Sequence, residues 1–217
     1  MPKLDKSFFL RPTIVLAQRL LGCKLVRVLG TEIVAGIIVE TEAYLCEEDP
    51  ACHASKGETK RNRTMFGPPG CLYIYSIHNR YCMNIVSEKA GYGAAVLVRA
   101  LEPTQGFGIM SALRPVPKPR DLTNGPGKLC QSLGIDIHFN GEDLVESKRI
   151  WLESASESVD FEIKSTPRIG ISQATDLPYR FFVDGSPFVS GRARDHSQSR
   201  DLFLGLDNAR DENMDRC

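Results

Sequence analysis

Two glutamates two residues apart, at the end of an apolar run, are the first place in this chain where chemistry could reside. The segment Val39-Glu40-Thr41-Glu42-Ala43-Tyr44 puts Glu40 and Glu42 on one face of any strand that continues through it. A glutamate at such an edge can act as general base for water; the same hexapeptide also reads as a solvated strand end. Flat amphipathic rings follow at Tyr44, His53, Tyr73, Tyr75 and Tyr81. Tyr73 and Tyr75 alternate along one strand and point the same way. Such rings are suitable walls for a nucleobase taken out of its stack. Ordinary sheet aromatics with satisfied hydroxyls give the same pattern, Tyr73 and Tyr81 above all, and a lone His53 also reads as a structural histidine. Arg99, inside Val96-Leu97-Val98-Arg99-Ala100-Leu101, must find an anion or a carboxylate.

Other chemistries fit less well. The seven cysteines are irregularly spaced and include no C-x-x-C pair, so they form neither a disulfide framework nor a zinc ribbon. Cys46, Cys52 and His53 would need a distant fourth partner to hold a metal; reduced structural cysteines are the expectation. A zinc deaminase is disfavoured, because neither half of its H-x-E and P-C-x-x-C signature is present. Net charge is zero, but its distribution is uneven. Glu40 to Asp49 carries five acidic residues and no basic one, whereas Lys56, Lys60, Arg61 and Arg63 are opposed only by Glu58. Arg114, Lys118 and Arg120 form a second basic cluster. Such asymmetry can build one basic face for nucleic acid, and a mixed solvated surface is the alternative.

The elements that must position these groups read as follows. Arg11-Pro12-Thr13 opens a helix closed by Gly22. Residues 23–29 and 33–40 are strands joined by the Gly30-Thr31 turn. Asp49-Pro50 starts a short helix holding Ala51, Cys52 and His53, and Lys56 to Gly70 is a basic, then Gly- and Pro-rich surface loop. Residues 71–77 and 81–87 form a hairpin with a His78-Asn79-Arg80 tip, and 94–101 is a further strand. Helices are expected at 104–113 and 126–133, and strands at 149–153, 168–172 and 179–183. Strands outnumber helices and connections are hairpin-like, which favours a single α+β domain with mostly antiparallel sheet and flanking helices.

The 217 residues, 42% hydrophobic and 25% charged, supply a sizeable core without metal or disulfide staples. No segment has the apolar length of a membrane span, and the N-terminus lacks the pattern of a secretory signal, so an intracellular protein is expected. The compact domain is placed at 1–190, and the polar 191–217 segment reads as a flexible tail.

Several blocks together are similar to the alkyladenine (methylpurine) DNA glycosylases. They are Phe9-Leu10-Arg11-Pro12, Val39 to Tyr44, Asp49 to Ser55, Arg61 to Phe66, Leu72-Tyr73-Ile74-Tyr75, Cys82-Met83-Asn84, Val96 to Pro103, Gly125 to Leu129, and Gly185 to Ser190. The resemblance runs in order over residues 8 to 190. It implies one compact domain with no metal and no bound cofactor. It also implies flipping of a damaged purine such as 3-methyladenine, 7-methylguanine, hypoxanthine or ethenoadenine from double-stranded DNA. By position, Glu42 resembles the base that activates water, and Arg99 the arginine that helps hold that water and a nearby phosphate. Tyr44, His53 and Tyr75 resemble the purine pocket walls; Leu97 joins them, with Asn84 at the rim screening against the guanine amino group. Met65 joins Lys56, Lys60, Arg61, Arg63 and the hairpin tip as the expected DNA-contacting set. None of Lys24, Lys56 and Lys60 falls on a nucleophile position, so a Schiff-base lyase is not expected.

One departure concerns the hairpin. The family tip carries an aromatic residue followed by glycine; here Ile77-His78-Asn79-Arg80-Tyr81 is one residue shorter. His78 is the positional candidate for the wedge that fills the vacated stack, with Arg80 second. In the tail, Ser199-Arg200-Asp201-Leu202-Phe203 loosely resembles a sliding-clamp docking motif; a helix packing back through Leu202, Phe203 and Leu206 is the competing expectation. The expected partner is damaged duplex DNA bound by a monomer, in the bacterial cytoplasm or, in a eukaryote, the nucleus. Two alternatives stay open: a lesion-binding protein without catalysis, and an enzyme acting on nucleosides or RNA.

Overall fold

The computed structural model describes residues 2–155 and 160–191. Its axis is β2, the thirteen-residue strand Glu32–Tyr44. One edge of β2 pairs antiparallel with β5 (Ala95–Gln105). The other edge pairs first with β1 (Lys24–Leu29), through residues 32–37, and then with β8 (Arg180–Val183), through residues 40–42. Outside β5 lies the hairpin of β3 (Leu72–Ile77) and β4 (Arg80–Val86); outside β1 lies β6 (Ile150–Glu153), and β7 (Ile163–Thr166) pairs with β8. The eight strands among the described residues form one antiparallel sheet, with helices on it: α+β, as the sequence indicates.

Helices are short and packed on the sheet. After α1 (Lys6–Phe9), α2 (Thr13–Arg19) lays Leu16, Ala17 and Leu20 into the core against β2, and the Thr41 hydroxyl donates to the Ala17 carbonyl at 2.8 Å. The Thr13 N–H and hydroxyl at the helix start both donate to Glu88. Helices α3 (Phe107–Leu113) and α4 (Pro126–Ser132) follow β5. Leu129, Cys130 and Leu133 pack on the β4 side of the core.

Five sequence expectations need correction. Residues 49–53 form turns rather than a helix, because Asp49 spends its carboxylate on the Leu45 and Ala51 amides and on Arg168. Residues 168–172 are not a strand; the extended segment lies earlier, at β7, an edge strand with half-exposed side chains. The strand expected at 33–40 continues to Tyr44, and that at 94–101 to Gln105. Finally, the hairpin tip is the two-residue turn His78-Asn79, and Arg80 already opens β4. Both tip residues have positive φ, 47° and 60°, the combination that a tight type I′ connection requires. Asparagine tolerates this geometry; histidine adopts it at a cost of about 1–2 kcal/mol.

The irregular 45–66 segment is pinned by close packing at Gly93. A Cβ there would lie 2.6 Å from both Ala54 Cβ and a Phe66 ring carbon. Gly93→Ala is expected to lower stability by about 1–3 kcal/mol through overpacking. Thermal unfolding of the variant checks this, and an unchanged midpoint would refute the packing argument.

Candidate active site

One rung across the sheet assembles the site. Tyr73 on β3 lies opposite Asn84 on β4, Asn84 opposite Leu97 on β5, and Leu97 opposite Glu42 on β2. Directly opposed residues share a face, so four strands deliver Tyr73, Asn84, Leu97 and Glu42 to one side. A ladder irregularity adds the fifth member. Pairing passes from Glu40↔Ala100 to Thr41↔Val98 and skips Arg99. Such irregularities re-aim side chains beside functional sites.

Arg99 lies between the two glutamates. Its Nε donates to Glu40 at 2.9 Å, its Nη1 lies 3.1 Å from Glu42 Oε2, and its Nη2 donates to Ser190 Oγ. Both glutamates are fully buried. Glu40 also accepts from Arg180 Nε at 2.6 Å and from the Ser190 N–H and hydroxyl. Two carboxylates and two guanidiniums thus neutralise one another out of water. The Arg99 charge is reinforced by Glu42 and Glu40 against the opposing effect of burial, the largest single influence on it.

Glu42 is held differently from Glu40. Its Oε2 accepts from the Tyr44 hydroxyl at 2.9 Å and faces Arg99, while its Oε1 accepts from the Ile169 N–H at 2.8 Å. An ionised carboxylate has about four acceptor sites. Three are occupied, by Tyr44, Arg99 and the Ile169 N–H, which leaves one acceptor site on Oε1.

Beside Glu42 is a cavity lined by Tyr44, Ala51, His53, Met65, Tyr73, Tyr75 and Asn84. Its volume is about 20 Å³, room for a water and not for a purine. The rings close on one another: His53 meets Tyr75 edge-on, centroids 4.6 Å apart, and its Nδ1 lies 3.0 Å from the Tyr73 hydroxyl. Burial pushes the Tyr73 phenol up to about 12 and raises the Tyr44 and Tyr75 phenols further, so all three rings are neutral donors. The imidazole of His53 is lowered by partial burial and by Arg61, which favours its neutral form. Asn84 donates its amide N–H to the Tyr73 carbonyl.

The wall behind Tyr44 rests on a buried ion pair absent from the sequence expectations. Arg168 donates from both terminal nitrogens to the two oxygens of Asp49, and to the Ala43 carbonyl. Its guanidinium lies 4.7 Å from the Tyr44 ring centroid and 5.4 Å from that of Tyr179. The next residue supplies the N–H that holds Glu42. One pair therefore fixes the start of the His53 segment, the Tyr44 ring and the catalytic-candidate carboxylate.

Of the residues singled out from sequence, Glu42, Arg99, Tyr44, His53, Tyr75 and Asn84 converge here, and Leu97 stands in the same rung. Met65, expected on the DNA-contacting surface, is buried and lines the cavity instead. Lys56, Lys60, Arg61 and Arg63 are exposed on the adjoining loop, whose turns Asn62 holds through the His53 and Gly57 carbonyls. His78, Asn79 and Arg80 are exposed at the hairpin. Sequence reasoning missed Asp49, Arg168, Ile169, Arg180 and Ser190. Among the described residues no cluster of three or more His, Cys, Asp or Glu could hold a metal, and no helix is long and apolar enough to cross a membrane. The clamp-like Ser199–Phe203 motif and the competing helix lie outside the described residues.

Removing one partner of a buried pair costs about 3–5 kcal/mol. Asp49→Asn is therefore expected to lower the unfolding free energy by that order, measured by denaturant titration, whereas a change under about 1 kcal/mol would remove Arg168–Asp49 as a support of the site.

The family model described as methylpurine-DNA glycosylase (MPG) matches residues 7–187. A relative from Chlorobaculum parvum is 50% identical, over 88% of this chain and 91% of its own length. One from Methanocella arvoryzae is 48% identical, over 89% and 98%, and one from Rhodopirellula baltica 45%, over 91% and 87%. All three carry provisional names as 3-methyladenine DNA glycosylases. With its rung of Tyr73, Asn84, Leu97 and Glu42 inside the matched span, this chain belongs to the methylpurine-DNA glycosylase family.

Proposed function

We propose that this protein is a monofunctional base-excision glycosylase that takes alkylated or deaminated purines out of duplex DNA and hydrolyses their N-glycosidic bond. The observation that carries this reading is Glu42: a buried carboxylate with three donors on it, one acceptor site left, beside a cavity of aromatic rings. Water bound at Oε1 gives its proton to Glu42 as its oxygen attacks the sugar C1′. The electron pair of the C1′–N bond leaves with the base, and a free base and an abasic sugar result. A purine alkylated at N3 or N7 is cationic and departs neutral, so the site needs a positioned base more than a strong acid. Hypoxanthine and ethenoadenine are neutral and need a proton delivered on departure, so they are the slower substrates of this reading.

The pocket residues follow the same logic. A cationic purine gains from the faces of Tyr44 and Tyr75, and neutral His53 adds no opposing charge. Asn84 screens the rim, and Arg99 orients Glu42 through Nη1. The exposed loop cations Lys56, Lys60, Arg61 and Arg63 meet phosphates. At the hairpin, His78 occupies the tip in a strained conformation of the kind that clusters at functional sites. Ile77, 50% exposed, shares the β3 face of Tyr73 and Tyr75, and apolar side chains of this kind serve as wedges between base steps.

Glu42→Gln is expected to lower single-turnover excision of 3-methyladenine or hypoxanthine by at least about 10², with lesion-duplex affinity changed only a few-fold. Wild-type protein that binds lesion duplexes without releasing base would instead leave a damage-recognition protein; release from nucleosides or RNA at equal rates would redirect the substrate class. For the wedge, His78→Ala and Ile77→Ala are compared on a paired and a mismatched hypoxanthine. The wedge residue is the one whose loss slows excision more from the paired site, and His78 is not the wedge if its variant leaves both rates unchanged.

A further inference from the structure

A second cavity, of about 230 Å³, lies beside the base pocket. Its lining is Pro50, Ala51, Gly170, Ile171, Ser172 and Gln173. Ala51 lines the base pocket as well and is the residue common to the two. The rest of the base pocket is built from tyrosines, His53, Met65 and Asn84, so Ala51, a single methyl, is the smallest side chain in that wall. Two segments meet at this partition. One is the turn in which the Ala51 N–H donates to the Asp49 carboxylate; the other directly follows Ile169, whose N–H holds Glu42.

The second cavity has a different character from the first. It opens on the surface, because Pro50, Gly170, Ser172 and Gln173 are all exposed. The 170–173 wall is loosely held: these four residues form no hydrogen bond with other described residues, and a Cβ on Gly170 would meet nothing within 4 Å. No charged side chain lines it, and neither does any residue of the hairpin tip or of the basic 56–63 loop. The surface that the preceding reading sets against DNA therefore leaves this opening uncovered. Its size suits a single flat ring system, since a cavity of about 150 Å³ is enough for benzene. Ile171 and Pro50 offer apolar contact to a ring, and the Ser172 hydroxyl and Gln173 amide can meet its polar edge.

We infer that this second cavity is a product site, which receives the free purine base across Ala51 and passes it to solvent while the abasic duplex is still bound. The inference rests on the glycosylase reading and deepens it. Bond cleavage changes the charge of an alkylated purine from positive to neutral. The attraction of a cation to the Tyr44 and Tyr75 faces is then lost, and a neutral, partly polar cavity one methyl away becomes the competing place for the base.

The test follows a duplex carrying 1,N6-ethenoadenine, whose base fluoresces, through one turnover of wild type, Ser172→Phe, Ala51→Leu and Ala51→Gly. Chemical quench gives the excision rate, stopped-flow fluorescence the escape of the base, and anisotropy the departure of the duplex. In wild type the base should leave about tenfold or more ahead of the abasic duplex. Ser172→Phe, which fills the opening from its exposed rim, and Ala51→Leu, which thickens the partition, should slow base escape about tenfold or more, toward the rate of duplex departure. Ala51→Gly should not slow it. Circular dichroism establishes that each variant is folded. Wild-type base that leaves only with the duplex, or escape as fast as wild type from both folded filling variants, would overturn the inference.

A second arm needs no chemistry: free ethenoadenine is mixed with protein already saturated with abasic duplex. Wild type should still take up the base, and Ser172→Phe should do so about tenfold more slowly or not at all. Uptake that the duplex blocks in wild type, or that Ser172→Phe leaves unchanged, counts against the product site. Uptake as expected with no excision by chemical quench would keep the product site and sink the hydrolase; excision with the base trapped until the duplex departs would do the reverse.

Discussion

Glu40 is the fixed point of this structure. It is fully buried, and its two oxygens accept from Arg99, Arg180 and both polar groups of Ser190. Those partners come from β5, β8 and the 186–190 turn, so one carboxylate ties together segments as much as 150 residues apart in sequence. A buried carboxylate without such partners would be costly by several kcal/mol, and folding therefore brings these segments together in one arrangement. Glu42 shares that arrangement, because the guanidinium whose Nε donates to Glu40 also lies 3.1 Å from Glu42 through Nη1.

The same constraint separates two glutamates that look alike in sequence. Glu40 has its acceptor sites filled by fixed donors and serves the scaffold. Glu42 adjoins the aromatic cavity through the Tyr44 hydroxyl, which donates to it from a pocket wall. Two similar side chains two positions apart thus take different work from their neighbours rather than from their own chemistry.

What could be read from sequence follows the range of the interactions involved. The alternation of Tyr73 and Tyr75, the Glu40–Glu42 spacing and the lone arginine in an apolar strand are local patterns, and the sheet keeps them. Strand pairing then turns the separate segments into one rung that carries Tyr73, Asn84, Leu97 and Glu42. Arg168, Arg180 and Ser190 were illegible because their meaning lies in partners 119 to 150 residues away. Arg168-Ile169-Gly170-Ile171 alternates like a strand, yet a buried pair with Asp49 takes the arginine inward and leaves the loop irregular. Asp49-Pro50 looks like a helix start for the mirror-image reason: the carboxylate that would cap a helix serves Arg168. β7 was missed because Ile163-Lys164-Ser165-Thr166 buries too little to show an apolar face.

The closed cavity bears on selectivity under the glycosylase reading. With space for only a water, the pocket must open before a purine enters, and His53 is the wall best placed to move. It stands on an irregular segment, is exposed on one side, and is held by one hydrogen bond and one edge contact. Losing these costs about 0.5–1.5 kcal/mol each, in addition to a few kcal/mol for unstacking the nucleotide. A neutral base recovers stacking of about 1–3 kcal/mol, which roughly offsets the opening alone. A cationic purine adds an attraction to the ring faces of about 2 kcal/mol when desolvated, enough to shift the balance toward the flipped state by more than tenfold. A pocket that is shut at rest therefore favours bases that carry charge or are already poorly paired, without any contact that recognises the alkyl group itself.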